Sequence, residues 1–178
     1  GQAVKILEDA GISVKHGILK ERCWKLNLPF FKWIQTKRPL VILKMAMTLD
    51  GKIATKGGQS QWITGVEARN EVQALRKISD AIMVGGETVR LDNPSLQVKE
   101  ESFFAQPQRY IWSSQKDWDS NLKCFEQDGK CAVVVKPQNK EQWEKFLDEL
   151  GSNDITSLLV EGGGELAANI LNSGLVDV

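Results

Sequence analysis

Short apolar segments alternate with helical segments along residues 37–178, and this alternation limits the possible folds more than any other feature. The apolar segments have strand character: PLVILKMAMTL (39–49), AIMV (81–84), RYIWS (109–113), KCAVVVK (130–136) and LLV (158–160). Helical spacing occurs between or after them, in WITGVEARNEVQALRKIS, ETVRLD, residues 140–150 and ELAANIL. Strands that alternate with helices predict an α/β fold, with helices packed against the faces of a mostly parallel sheet.

The first 36 residues differ from the rest in their pattern of polar and apolar residues and are predicted to form a separate α-β-α unit. A helix is expected over 2–10, an alternating strand over 12–19 and a second helix over 20–27. The polar stretch QTKRP follows, so we place a domain boundary near Lys37, with 1–36 before it and 37–178 after it. Within the main domain, Thr64 and Glu67 have the spacing of a helix capping box.

The composition favours a protein that binds a small molecule. The 178 residues carry 23 basic and 23 acidic groups, so no charge excess favours nucleic acid. No apolar stretch approaches the roughly 20 residues that cross a bilayer, and we expect a cytoplasmic protein that does not bind membranes. Cys23, Cys124 and Cys131 form no CxxC pair, and His16 is the single histidine, so no metal site is predicted.

Two glycine turns join strands to helices, Gly85-Gly86 before ETVRLD and 162–164 before ELAANIL. The first N–H groups of a helix lack internal partners, and glycine lets an anion approach them. Both turns therefore predict contacts with a phosphorylated cofactor, although glycines that only permit tight packing remain an alternative. Neither turn is a GxGxxG fingerprint or a P-loop.

The main domain contains five motifs, including LKMAMTLDGKIAT, SQWIT, VGGETVRLDNPSL and LLVEGGGELAANILNSGLVD. In this order they resemble the reductase domain of the bifunctional riboflavin-biosynthesis deaminase/reductase. That resemblance implies a three-layer fold like dihydrofolate reductase, and residues 1–36 look like the tail of a preceding deaminase domain. It also implies a homodimer and NADPH-dependent reduction of 5-amino-6-(5-phosphoribosylamino)uracil at the sugar carbon bonded to nitrogen. The deaminase zinc motifs are absent from the sequence, which excludes that activity here. In the family the chain continues past GLVDV into strands that complete the sheet, and we expect those strands to be missing.

The resemblance also assigns roles to individual residues. The cofactor would contact Ala46, Trp62, Thr88, Asp92, Ser114, Gly163, Gly164, Glu165, Leu166, Ala167, Ala168 and Asn169. Ser114 is placed by WSSQ, in which Ser113 is a near-equal candidate. The substrate would contact Ser60, Arg76, Leu96, Lys99 and Glu161. The catalytic candidates are Lys44, Asp92 and Glu161.

Chemistry agrees with several of these roles. Arg76 can form a forked contact with a sugar phosphate, and Trp62 offers a flat face for stacking. Lys99 stands where the family usually has arginine, so it would supply a point charge instead of a fork. Each residue also has an ordinary structural explanation: Trp62 as core, Arg76 as a solvated helix residue and Asp92 as a turn residue.

Two other functions remain open on the sequence. A nucleotide-phosphate binding scaffold without turnover would use the same glycine turns but would not need Lys44, Asp92 or Glu161. A reductase of the same fold that acts on a phosphate-free pterin would not need Arg76 and Lys99.

Overall fold

The computed structural model describes residues 2–99, 105–125 and 131–178. The strands in these residues are β1 (Leu40–Lys44), β2 (Ala81–Gly85), β3 (Gln108–Trp112), β4 (Val133–Val135) and β5 (Ser157–Glu161). The helices are α1 (Gln2–Asp9), α2 (Lys20–Leu26), α3 (Leu28–Thr36), α4 (Val66–Lys77), α5 (Gly86–Asp92), α6 (Lys140–Ser152) and α7 (Gly164–Ser173). Residues 98–108, which contain KEESFFAQPQ, are predicted from the sequence to form a surface loop, and this segment lies partly outside the described residues.

The five strands form one sheet in the order β1-β5-β2-β3-β4, and each neighbouring pair is parallel. This confirms the predicted α/β fold. The first strand ends at Lys44 and not at Leu49, because its partner β5 ends at Glu161, opposite Lys44 in the register. Beyond that point the chain turns at Asp50-Gly51, where Gly51 has a φ of 77° and its N–H donates to the Thr48 carbonyl.

Side chains that alternate along the strands build one core on each face of the sheet, which gives three layers. On one face, Met83, Leu158 and Val160 pack with the buried residues of α6 and α7. On the other face, Ile82 and Leu159 pack with residues of α4, α5 and the segment that follows α5. The two helical layers pack on both faces of the sheet and therefore fix the position of its carboxyl edge.

Helix α4 does not begin with the predicted capping box. Its N-cap is Gly65, and no side chain caps it. The Thr64 carbonyl instead accepts a hydrogen bond from Arg69 Nη1 at 2.8 Å. Helix α6 does have a side-chain cap, because Asn139 Oδ1 accepts from the Gln142 N–H at 3.0 Å.

The predicted strand over 12–19 is wrong. Residues 12–17 have no regular structure, and 12–19 are largely exposed. A strand needs a neighbour for its backbone groups, and the described residues place none beside this segment. The amino-terminal unit is thus helical, and α3 contacts the main domain through a hydrogen bond of 2.9 Å from Trp33 Nε1 to the Gly151 carbonyl.

Candidate active site

A cleft of about 920 Å³ lies at the carboxyl edge of the sheet. Residues that end or follow each of the five strands line it, including Ala46 after β1, Gly85 in β2, Ser113 after β3, Lys136 after β4 and Gly163 after β5. Open parallel sheets bind ligands at this edge. The cleft is therefore the candidate active site.

The second glycine turn forms part of the cleft wall. Gly162 and Gly163 have φ values of 63° and 84°, a region that side-chain-bearing residues rarely adopt. A Cβ on Gly162 would meet nothing within 4 Å, whereas a Cβ on Gly164 would lie 2.8 Å from Ile53 Cδ1. Helix α7 starts here without a side-chain cap. Its first N–H groups are thus available to an anion in the cleft.

The first glycine turn has a packing explanation. A Cβ on Gly86 would lie 2.9 Å from the Cβ and Oγ of Ser113 and 3.2 Å from the Trp118 ring. The absence of a side chain at Gly86 lets α5 approach the end of β3. Gly85 and Gly86 still line the cleft, but this turn is explained without a ligand.

Many of the predicted site residues do meet in the cleft. Those that line it are Ala46, Ser60, Thr88, Asp92, Ser114, Gly163, Gly164, Glu165 and Leu166. Asp92, the last residue of α5, accepts a hydrogen bond of 2.7 Å from Gln61 Nε2. This bond ties the loop that contains Ser60 to α5.

Arg76 and Glu161 contact each other. Arg76 Nε and Nη2 donate to the two carboxylate oxygens of Glu161 at 2.7 and 2.8 Å, and Nη1 donates to the Gln97 carbonyl at 3.3 Å. The forked grip expected for a phosphate is therefore formed with a carboxylate. Lys44 is opposite Glu161 in the β1–β5 register, directly before the glycine turn. Lys44, Arg76 and Glu161 are not among the residues that line the cleft.

Other predicted residues lie outside the cleft lining. Trp62 is 72% exposed, and its ring centroid lies 4.6 Å from the Arg69 guanidinium. The Leu96 side chain is buried in the core, so only its main chain could meet a ligand. The exposed Lys99 donates its backbone N–H to Gln73 Oε1 at 3.0 Å.

The later residues of α7 also point away from the cleft. Asn169 Oδ1 accepts a hydrogen bond of 2.6 Å from Trp143 Nε1, which joins α7 to α6. Ala167 is buried and Ala168 is exposed, and neither lines the cleft. The cleft thus uses only the first turn of the predicted 163–169 segment.

Sequence reasoning missed several polar residues of the cleft: Gln61, Arg90, Gln115 and Lys136. Ser113, the near-equal alternative to Ser114, lines the cleft as well. Lys136 had a usable signal, since it directly follows a strand, as Gly162 does. Gln61 had none, because its role depends on a hydrogen bond to a residue 31 positions away. Within the described ranges, no group of three or more His, Cys, Asp and Glu side chains could hold a metal ion, and no helix is long and apolar enough to cross a membrane.

Comparison with known proteins places these features in a family. Residues 39–178 match the model of the RibD C-terminal domain. The chain belongs to this family. The riboflavin biosynthesis protein RibD of Actinobacillus pleuropneumoniae is 40% identical over 201 residues, which cover 99% of this chain and 53% of that protein.

Solved structures of RibD proteins have the same fold. RibD of Acinetobacter baumannii, in its crystal form 1, is 33% identical and has a TM-score of 0.84 over 99% of this chain and 55% of that one. A Thermotoga maritima protein is also 33% identical, with a TM-score of 0.81 over 97% of this chain and 52% of that one. It is described as a diaminohydroxyphosphoribosylaminopyrimidine deaminase and 5-amino-6-(5-phosphoribosylamino)uracil reductase. The chain spans about half the length of these relatives.

Proposed function

We propose that the chain is an NADPH-dependent reductase that converts 5-amino-6-(5-phosphoribosylamino)uracil into its ribitylamino product in riboflavin biosynthesis. The observation that carries the proposal is the uncapped start of α7, which opens into the same cleft as Asp92 and is separated from Glu161 by only Gly162 and Gly163. Membership of the RibD C-terminal domain family supports a reductase. The name of the Thermotoga maritima relative supports the substrate.

The chain's residues fit a dinucleotide. Gly162 and Gly163 both have positive φ, and a Cβ on Gly162 would meet nothing within 4 Å, so the turn leaves space near the first N–H groups of α7, which would bind a diphosphate. Ala46, Thr88 and Ser114 line the same cleft and would contact the rest of the cofactor. A bound reduced nicotinamide supplies the hydride, and the protein supplies binding, orientation and charge.

The substrate would lie against Lys44, Arg76 and Glu161, near the second glycine turn. Arg76 uses three of its five N–H donors on Glu161 and Gln97, so two remain for a phosphate or a sugar hydroxyl. Lys44, Asp92 and Glu161 are the groups proposed to move a proton at the reacting sugar. Ser60 and Lys99 are proposed to complete the substrate site.

The proposal includes the remaining expectations from the sequence. These are a domain boundary near Lys37, a homodimer and a cytoplasmic location. The boundary is compatible with the end of α3 at Thr36 and with the start of the family match at residue 39.

A turnover assay tests the function. The chain is given the phosphoribosylamino substrate and NADPH, and the loss of reduced-nicotinamide absorbance is followed. The double variant Asp92→Asn with Glu161→Gln is expected to lose about 10²-fold or more in kcat, whereas Glu71→Gln, an exposed carboxylate on α4, is the control. Full turnover in the double variant would remove the site assignment, and tight cofactor binding without any wild-type turnover would favour the scaffold.

A further inference from the structure

A lysine and two serines line the cleft end formed by β3 and β4. Trp112 of β3 is opposite Val135 of β4, and the Ser113 N–H donates to the Val135 carbonyl at 2.9 Å. The next residues along each strand are therefore neighbours at the carboxyl edge. Ser113, Ser114 and Lys136 all line the cleft there.

Lys136 holds its ammonium group against a fixed aromatic ring. Its Nζ lies 4.0 Å from the centroid of Trp112, whose Nε1 donates to the Pro137 carbonyl at 2.8 Å. Trp112 is 4% exposed, so the ring is held by the core. Within the part of the chain that the structure describes, Lys136 forms no salt bridge. A positive charge thus stands at the cleft wall, and no carboxylate of the described residues neutralises it.

The other cation at this end is already paired. Arg90 donates to Glu87 Oε2 from Nε at 3.1 Å and from Nη2 at 2.6 Å. Its Nη1 donates to Gln115 Oε1 at 2.9 Å. These bonds use the forked face of the guanidinium on a carboxylate and an amide. Lys136, which forms no salt bridge with the described residues, is therefore the more available cation for a second anion in the cleft.

The nearby hydroxyls suit the same anion. Ser113 Oγ accepts a hydrogen bond from the Gln115 N–H at 3.1 Å, which leaves its own proton free to be donated. Ser114 is exposed at the cleft surface and can donate in the same way. The Lys136 ammonium and the two serine hydroxyls line the same cleft, and a phosphate monoester can accept hydrogen bonds from donors of both kinds.

This position is separate from the glycine turn. Neighbouring strands are about 4.8 Å apart, so β3 and β4 lie roughly 10 and 14 Å from β5 across the sheet. The cleft therefore offers two anion positions, one at the start of α7 and one at Lys136. A dinucleotide that carries a phosphate on its ribose, in addition to its diphosphate, presents two such anions.

We propose that Lys136, with the hydroxyls of Ser113 and Ser114, binds the 2′-phosphate of NADPH and makes the site prefer NADPH to NADH. The inference rests on the proposed function, because it names the residue that selects the cofactor. It also predicts that the adenosine end of the cofactor lies over β3 and β4. The nicotinamide end then extends toward Glu161 and Ala46.

Cofactor binding to single variants tests the inference without turnover. Dissociation constants are measured for NADPH, NADH, adenosine 2′,5′-bisphosphate and 5′-AMP by quenching of tryptophan fluorescence. Lys136→Gln is expected to weaken the binding of NADPH and of the bisphosphate by about tenfold or more. It is expected to change the dissociation constants of NADH and 5′-AMP by less than about twofold. Lys136→Arg is expected to keep most of the preference. Lys140→Gln removes an exposed positive charge four residues away, outside the cleft lining, and is the matched control.

Three results would contradict the inference. If Lys136→Gln weakens the binding of NADPH and of NADH equally, the lysine only supports Trp112. An unchanged preference in Lys136→Gln, with NADPH still bound by the wild type, would overturn the inference and leave the proposed function standing. Failure of the wild type to bind either dinucleotide would overturn the proposed function, and the inference with it.

Discussion

Arg76 on α4 and Glu161 at the end of β5 form a two-pronged ion pair, with N–O distances of 2.7 and 2.8 Å. Both side chains are 11% exposed. The pair fixes the last residue of the central strand directly before the glycine turn. It thereby links the helical layer on one face of the sheet to the geometry of the cleft.

Breaking this pair from one side is expected to destabilise the fold. Arg76→Met or Glu161→Leu each leaves a partly buried charge without its partner, which costs about 3 kcal/mol in the free energy of unfolding. The double variant removes both charges and is expected to cost less than the sum of the two singles. Urea unfolding of the four proteins measures the coupling.

An exposed pair is the control for this cycle. Arg90 and Glu87 are 46% and 66% exposed, so Glu87→Gln is expected to change the free energy of unfolding by less than about 1 kcal/mol. Additive effects at Arg76 and Glu161 would mean that the pair contributes nothing beyond its separate residues.

The sequence predicted the main fold because its signals are local. The apolar strand segments and the glycine turns that join strands to helices depend on residues close along the chain, and both appear in the structure. The segment 12–19 failed for the opposite reason. Its alternating pattern is local, but a strand also requires a partner, which only the folded structure can provide or withhold.

The same distinction applies to the cleft. The glycine turn at 162–164 was predictable because a strand, positive-φ glycines and a helix are adjacent in sequence. The contacts of Arg76 with Glu161 join residues 85 positions apart. No spacing rule brings such residues together, so each was identified only as a separate substrate contact.

Substitution of Gly163 is expected to weaken cofactor binding. Gly163→Ala places a side chain at a φ of 84° in the turn that precedes α7. Backbone strain of this kind costs on the order of 1 kcal/mol, and the shifted turn would move the N–H groups proposed to bind the diphosphate. The measurement compares the Kd for NADPH with the unfolding midpoint.

Gly174, at the other end of α7, is the matched control. It has a φ of 70°, and a Cβ there would meet nothing within 4 Å. Gly174→Ala is expected to lower stability by a similar amount without changing the Kd. Equal Kd values for both variants and the wild type would contradict the assignment of the turn to the cofactor.

Gly151→Ala is expected to disrupt the contact between α6 and the start of the main domain. A Cβ at Gly151 would lie 1.8 Å from the Lys37 carbonyl oxygen, which is backbone and cannot rotate away. We expect a loss of about 3 kcal/mol or more in the free energy of unfolding. Gly57→Ala is the control, because its nearest neighbour would be Thr55 Oγ1 at 3.9 Å. Similar unfolding curves for the two variants would show that the Lys37 backbone moves easily.

Stability is expected to fall at alkaline pH through Tyr110. Burial, and to a smaller extent the negative charge of Glu149, raise the pKa of Tyr110 above its usual value of 10.0. The folded state therefore holds the phenol proton more tightly than the unfolded state does. The resulting stability is fully present below pH 10.0 and is lost as the pH rises through the folded-state pKa.

Tyr110 is the only tyrosine in the sequence, so its ionisation can be followed directly by tyrosinate absorbance. The free energy of unfolding is measured from about pH 8 to about pH 11 for the wild type and Tyr110→Phe. Lysine and cysteine ionisation affect both proteins, so the difference between the two curves isolates Tyr110. The wild type is expected to lose more stability above pH 10 than Tyr110→Phe does. Glu149→Gln should remove only the smaller part of the pKa shift, because burial is the larger cause. Parallel stability curves for the wild type and Tyr110→Phe would show that the phenol ionises equally easily in the folded and unfolded states.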